Sequence, residues 1–177
     1  KDNQLPWQEY PRPQLRREVY QMLNGEWMLN GKVTIVPFPP QARASGYMGE
    51  ISDTLVYEKS FTVDEKLSGK EGRILLHFGA VDQIAQVWMN EIFIGEHEGG
   101  YLPFSFDVTD ALHDKENLLK VVAVDTLSHD YPYGKQKKKP GGMWYTPVSG
   151  IWQSVWLEWV PTYYIEKIKM TPDLEGV

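Results

Sequence analysis

The residues best suited to chemistry in this chain lie late. The segment GGMWYTPVSGIWQSVWLEWVP, residues 141–161, holds four of the seven tryptophans: Trp144, Trp152, Trp156 and Trp159. An indole ring buries well, and its face also stacks on the C–H faces of a sugar ring. Position separates the two roles. On a strand, Trp152, Ser154 and Trp156 share one side, and Ile151, Gln153, Val155, Leu157 and Trp159 the other. Both sides are largely apolar, so the stretch reads as a strand covered on both faces. Trp144 and Tyr145 instead follow Gly141-Gly142 at the end of a long loop, SHDYPYGKQKKKPGG (128–142). There a ring can stay accessible, and Tyr133, Trp144 and Tyr145 are the candidates for stacking on a carbohydrate.

Other groupings are weaker. The run KQKKK (135–139) reads as a solvated loop that can also attract acidic sugars through charge. His97 lies between Glu96 and Glu98, but neighbouring strand residues point to opposite faces and cannot converge on a metal. His129-Asp130 has the spacing of a hydrogen-bonded pair. No Gly-x-Ser-x-Gly elbow is present, and Gly99-Gly100 leads into a strand, not a phosphate-cradling helix. No catalytic residue, metal site or cofactor is expected.

Composition narrows the partners. The 177 residues carry 18 Lys and Arg against 24 Asp and Glu, a net charge of -6. That argues against nucleic acid or an anionic membrane as the main partner. Cysteine is absent, which excludes disulfides and thiolate sites. No apolar stretch has the length of a membrane helix. The sequence starts at Lys1, which reads as a mature or excised form, so periplasmic, secreted and cytoplasmic locations all stay open.

The elements that must position these residues are strands. Residues 1–22 read as a proline-broken extended lead-in that packs on the body, and Trp27 reads as core. Strand-like runs follow at 23–29, 33–40, 54–63, 73–81, 84–100, 101–112, 117–127 and 150–161, with a long polar loop at 41–53. Within 54–63, Leu55, Tyr57, Lys59 and Phe61 share a side, and Phe104, Phe106 and Val108 do so in 101–112. The 84–100 run is a hairpin with Asn90-Glu91 at its tip, since asparagine tolerates the positive φ of such turns. Asp107, Thr109 or Asp110 is placed to cap a brief helical turn near Ala111-Leu112. The 117–127 run has the continuous apolar character of a central strand. Residues 163–172 read as one more short strand, detached from the body by Pro161. No amphipathic helix of any length is present, so the expected fold is all-β, a jelly-roll β-sandwich.

Residues 144–158, WYTPVSGIWQSVWLE, resemble the end of the first domain of glycoside hydrolase family 2. That family includes β-galactosidases, β-glucuronidases and β-mannosidases. LNGEW (23–27), VPFPPQARASG (36–46) and VWMNEIFIGEHEGGYLPFSFDVTDAL (87–112) resemble it too, so the likeness covers residues 20–160. It implies a galactose-binding-domain-like jelly roll over residues 1–161, then the truncated start of an immunoglobulin-like domain at 162–177. The family's two catalytic glutamates sit on a TIM barrel that this sequence does not include. Asn90-Glu91 does not replace them, because a hairpin tip has no second carboxylate fixed about 5 Å away. The domain is then a non-catalytic part of a retaining glycosidase, with the immunoglobulin-like and TIM-barrel domains of its own chain as partners, and a homo-oligomer of the full enzyme is compatible with it. The family's sugar- or sodium-contacting aspartate before this motif is replaced here by Gly142. The loop then offers Tyr133, Lys135, Gln136, Trp144 and Tyr145 as substrate-rim or sugar-binding residues, with Asp125 and Asp130 as further polar groups. The alternative is an autonomous carbohydrate-binding module. A self-sufficient enzyme would need a carboxylate pair or metal cluster that the sequence does not offer.

Overall fold

The computed structural model describes residues 5–69 and 71–173. Among the described residues twelve strands form in chain order: β1 (Tyr20–Met22), β2 (Gly25–Leu29), β3 (Lys32–Val36), β4 (Thr54–Thr62), β5 (Arg73–Phe78), β6 (Val81–Asp82), β7 (Ile84–Met89), β8 (Ile92–Glu98), β9 (Phe104–Asp107), β10 (Glu116–Val124), β11 (Gly150–Ile151) and β12 (Val155–Val160). Short 3-10 turns sit at Pro13–Leu15, Arg43–Ser45 and Thr109–Ala111.

The strands make a sandwich. A six-stranded sheet has the order β3-β2-β4-β10-β7-β8, and a four-stranded sheet the order β1-β12-β5-β9. A small pair, β11-β6, bridges them at one end. The alternating strands bury one side each, as period two requires. Along β4, Leu55, Tyr57 and Phe61 are buried, while Lys59 is half-exposed and donates to the Glu26 carbonyl at 2.8 Å. Strand β10 is central, pairing β4 on one side and β7 on the other, with Val121 opposite both Tyr57 and Val87. Trp27 is core: it is buried and its indole N–H donates to the Leu23 carbonyl at 2.7 Å.

Turn chemistry sets the registers. Asn90 and Glu91 take φ of 50° and 67°, the left-handed pair of a two-residue hairpin between β7 and β8. The Asn90 side chain then donates to Ala111 and Asn117 and accepts from the Leu118 amide, tying the tip to β10. Near Thr109–Ala111 the flanking position is Val108, and the Asp107 carboxylate accepts the Thr109 amide at 3.0 Å.

The structure corrects three expectations. The 150–161 run is not one strand: it leaves the small pair after Ile151 and enters the four-stranded sheet at Val155. Trp152 therefore does not share a face with Trp156; its indole N–H donates to the Gly100 carbonyl at 2.8 Å. Residues 163–172 form no strand, because among the described residues no strand pairs with them, and Tyr163 is 92% exposed. Residues 20–22, read as lead-in, are a strand on the edge of the four-stranded sheet, paired with β12. The lead-in before it does pack on the body, though residues 1–4 lie outside the described part, as do 174–177 of the expected second domain.

The outer face of β12 and β5 is covered by that lead-in. Glu158, 1% exposed, accepts from Tyr10 (2.6 Å), Arg12 (3.1 Å) and Arg17 (3.2 Å). His77 stacks on Trp156 with centroids 4.8 Å apart and lies 3.6 Å from Glu158. Arg17 also donates to the Ile165 carbonyl, and Tyr164 sits beneath both Arg17 and Arg73.

Candidate functional site

The loop between β10 and β11 is long but stitched. The Lys137 amide donates to the Tyr145 carbonyl (3.1 Å), and the Tyr145 amide to the Lys135 carbonyl (2.7 Å). Trp144 and Gly141 exchange backbone bonds across a tight turn whose inner residue Gly142 has φ 60°. A side chain at Gly142 would meet no neighbour, but that φ favours glycine. The Gln136 carboxamide is the cross-brace. Its oxygen accepts the Val148 amide and its nitrogen reaches the Tyr101 hydroxyl at 3.4 Å. Gln136→Ala is expected to leave the sandwich folded while loosening the loop, raising hydrogen exchange at the Val148 amide about tenfold or more. Unchanged exchange there would show that the backbone bonds alone hold the loop.

Beneath the loop the polar groups are fixed by one another. Asp125 is buried, accepting the Ser149 hydroxyl at 2.7 Å and the Leu127 amide at 2.8 Å. Ser149 in turn accepts from Gln41 at 2.9 Å. Lys138 pairs with Asp53. Asp82, at the end of β6, is buried with Oδ1 pressed against Gly100, where a Cβ would come within 2.2 Å of it. Burial, with the nearby Asp125 charge, pushes its carboxyl up to about 7.

Of the five candidates, Tyr133, Gln136 and Trp144 border one cavity of about 380 Å³, together with Leu127, His129, Lys137 and Lys138. Lys135 and Tyr145 stand outside its walls, exposed on the loop. One face of Trp144 is occupied: the Lys137 ammonium lies 4.2 Å from its ring centroid. His129 and Asp130, whose spacing allows a hydrogen-bonded pair, each take another partner. The His129 ring stacks on Tyr133 at 4.5 Å, and Asp130 accepts the Ser128 hydroxyl at 2.7 Å. His97 stacks on Phe104 at 4.2 Å, and among the described residues no three His, Asp or Glu side chains group to hold a metal. Sequence reasoning missed Lys137 as the partner of Trp144. It also missed the buried Glu158 cluster, whose one signal was a lone charge inside the apolar run VWLEWV.

The family sequence model described as "Glycosyl hydrolases family 2, sugar binding domain" matches residues 21–161. The chain belongs to this family. The matched segment of this family 2 chain ends at the junction after β12, and it contains the loop and its cavity. A β-galactosidase of Thermoanaerobacter pseudethanolicus is 37% identical over 122 residues, covering 66% of this chain and 15% of that protein. A β-glucuronidase of Paenibacillus borealis is 30% identical over 134 residues, covering 68% and 22%. The solved β-D-glucuronidase of Dictyoglomus thermophilum superposes with a TM-score of 0.65 at 24% identity, over 89% of this chain and 30% of that one. This last likeness shows the jelly-roll sandwich as fold. The chain thus spans a small part of the relatives it matches, as their sugar-binding domain.

Proposed function

We propose that this domain serves a retaining β-glycosidase whose catalytic carboxylates lie outside it, and that the loop 128–146 lines the substrate rim of that enzyme. The relatives named β-galactosidase and β-glucuronidase, each far longer than this chain, support a parent that hydrolyses O-glycosidic bonds. The observation that carries the rim reading is the cavity bordered by Tyr133, Gln136 and Trp144 on a loop pinned at both ends. Beside it, Tyr101, Leu102, Met143 and Tyr145 are exposed, with Leu102 at 68% and Tyr145 at 66%. Apolar side chains gathered at one loop end suit a surface that another domain covers.

The exposed Tyr163, Ile165, Ile168 and Met170 fit a segment that gains its partner from a following β-domain, starting near residue 162. In the full-length enzyme, Trp144→Ala and Tyr133→Ala are expected to raise KM or lower kcat/KM at least fivefold with a glycoside substrate. Wild-type kinetics in both variants would overturn the rim reading.

A further inference from the structure

We propose that the cavity beside Trp144 binds the anionic substituent of a saccharide, a carboxylate or a sulfate, with Lys137 as its anchor. The inference rests on the rim reading for its place in the enzyme, but its chemistry comes from the charge of the cavity itself.

The chain is acidic, at -6, yet its long loop places lysines at 135, 137, 138 and 139. Two of them, Lys137 and Lys138, stand in the cavity wall, and among the described residues no Asp or Glu does. The adjoining cavity differs, with Asp53 and Asp125 beside Lys138 in its walls, and in the cleft outside the four-stranded sheet Arg12, Arg17 and Lys167 stand among Glu158 and Glu166. Lys138 is neutralised by Asp53. Lys137 is held differently, over the indole of Trp144 at 4.2 Å. A ring face orients an ammonium and attracts it, but does not cancel its charge or accept its three N–H groups. The result is a positioned cation whose donors stay available at the edge of a cavity.

A neutral sugar hydroxyl gains little from such a cation, because water serves the ammonium equally well. An anionic oxygen gains a charge-assisted hydrogen bond, roughly twice as strong as a neutral one. Lysine acts as a point charge and does not demand the bidentate geometry that distinguishes a carboxylate from a sulfate. The stacked rings of His129 and Tyr133 line the same space and supply apolar contact for the sugar ring.

The test is an NMR titration of this chain, read at the Trp144 indole N–H, with that signal assigned from Trp144→Phe. The probes are methyl β-D-glucuronide, glucose 6-sulfate, methyl β-D-glucoside and inorganic sulfate. The two anionic sugars are expected to bind at least tenfold tighter than the neutral glucoside, and to weaken severalfold from 50 to 500 mM NaCl. The tighter of the two identifies the substituent. Lys137→Gln should remove the preference and Lys137→Arg should keep it. Equal binding of charged and neutral sugars, or no response at all, would overturn the anion assignment. Inorganic sulfate binding as tightly as the anionic sugars would overturn the saccharide part. The rim reading stands or falls separately, on the kinetics of Trp144→Ala and Tyr133→Ala in the full-length enzyme.

Discussion

Replacing Glu158 with alanine is expected to cost this fold about 3 kcal/mol, the low end of the range for removing one partner from a buried ion pair, because Arg12 keeps a third of its side chain in water. The carboxylate is almost fully buried and is the common acceptor for Tyr10, Arg12 and Arg17. Without it, the guanidinium groups of Arg12 and Arg17, with 34% and 19% of their side chains exposed, lose the counter-charge they share. The lead-in then loses its anchor on the outer face of the four-stranded sheet, so Tyr10 and Arg12 should become mobile as well. Urea unfolding measures the loss. A change below about 1 kcal/mol would mean that water already screens the cluster, as it does for exposed pairs.

The same cluster sets an acid limit. Burial raises the Glu158 pKa, but the Tyr10 hydroxyl, His77 and Arg12 outweigh it and hold the group below its ordinary value. Burial lowers His77 from 6.5 to about 4, against the opposing pull of Glu158. Both groups therefore bind fewer protons in the folded chain than in the unfolded one as pH falls. The His77 contribution is complete above pH 6.5 and is lost on descending to about 4, on the order of 3 kcal/mol. Glu158 adds its own loss at lower pH. His77→Phe, which keeps a ring against Trp156, is expected to flatten the stability profile between pH 6.5 and 4.

Gly150→Ala is expected to be the other severe change, by more than about 3 kcal/mol. Gly150 has φ 72°, where an L side chain is strained by roughly 1–2 kcal/mol. An added Cβ would also lie 2.3 Å from the hydroxyl of Tyr57, a ring that is itself buried in the core and cannot swing aside. Tyr57→Phe removes the oxygen that is struck. The double variant Gly150→Ala/Tyr57→Phe should therefore recover part of the loss, a coupling that independent sites would not show. Strict additivity in thermal unfolding would place the whole cost in the backbone conformation.

These two sites also show what the sequence could and could not reveal. Strands β4, β7, β8 and β10 were legible because alternation or a continuous apolar run is a local signal, and the Asn90-Glu91 tip because its chemistry lies in two residues. The loop bearing Tyr133, Gln136 and Trp144 was legible as a loop, and its neighbourhood of glycines marked it. Strand β1 was not legible: three residues among Arg and Glu carry no period, and its partner β12 lies at the far end of the chain. Nor did the run 150–161 betray its break, since both halves are apolar and only the change of sheet at Trp152–Ser154 interrupts the alternation. The Lys137–Trp144 contact depends on how the loop doubles back, which spacing does not encode. The tail at 163–172 kept a strand-like pattern without a strand, because pairing needs a neighbour as well as a propensity.

Strand β12 lies between β1 and β5, though it is made of residues 155–160 and the others are made far earlier. On the ribosome, the whole six-stranded sheet has emerged once residue 124 is out, but the layer that covers its apolar face still lacks β12. The opposing layer cannot close until the last tryptophan-rich strand appears and inserts between two strands that have waited for it. At ~5–20 residues per second that interval lasts seconds, long enough for an uncovered sheet to meet a chaperone or another nascent chain. The indoles of residues 152–159 are thus the final closure of the domain during its synthesis, and any message ending before them encodes half a sandwich.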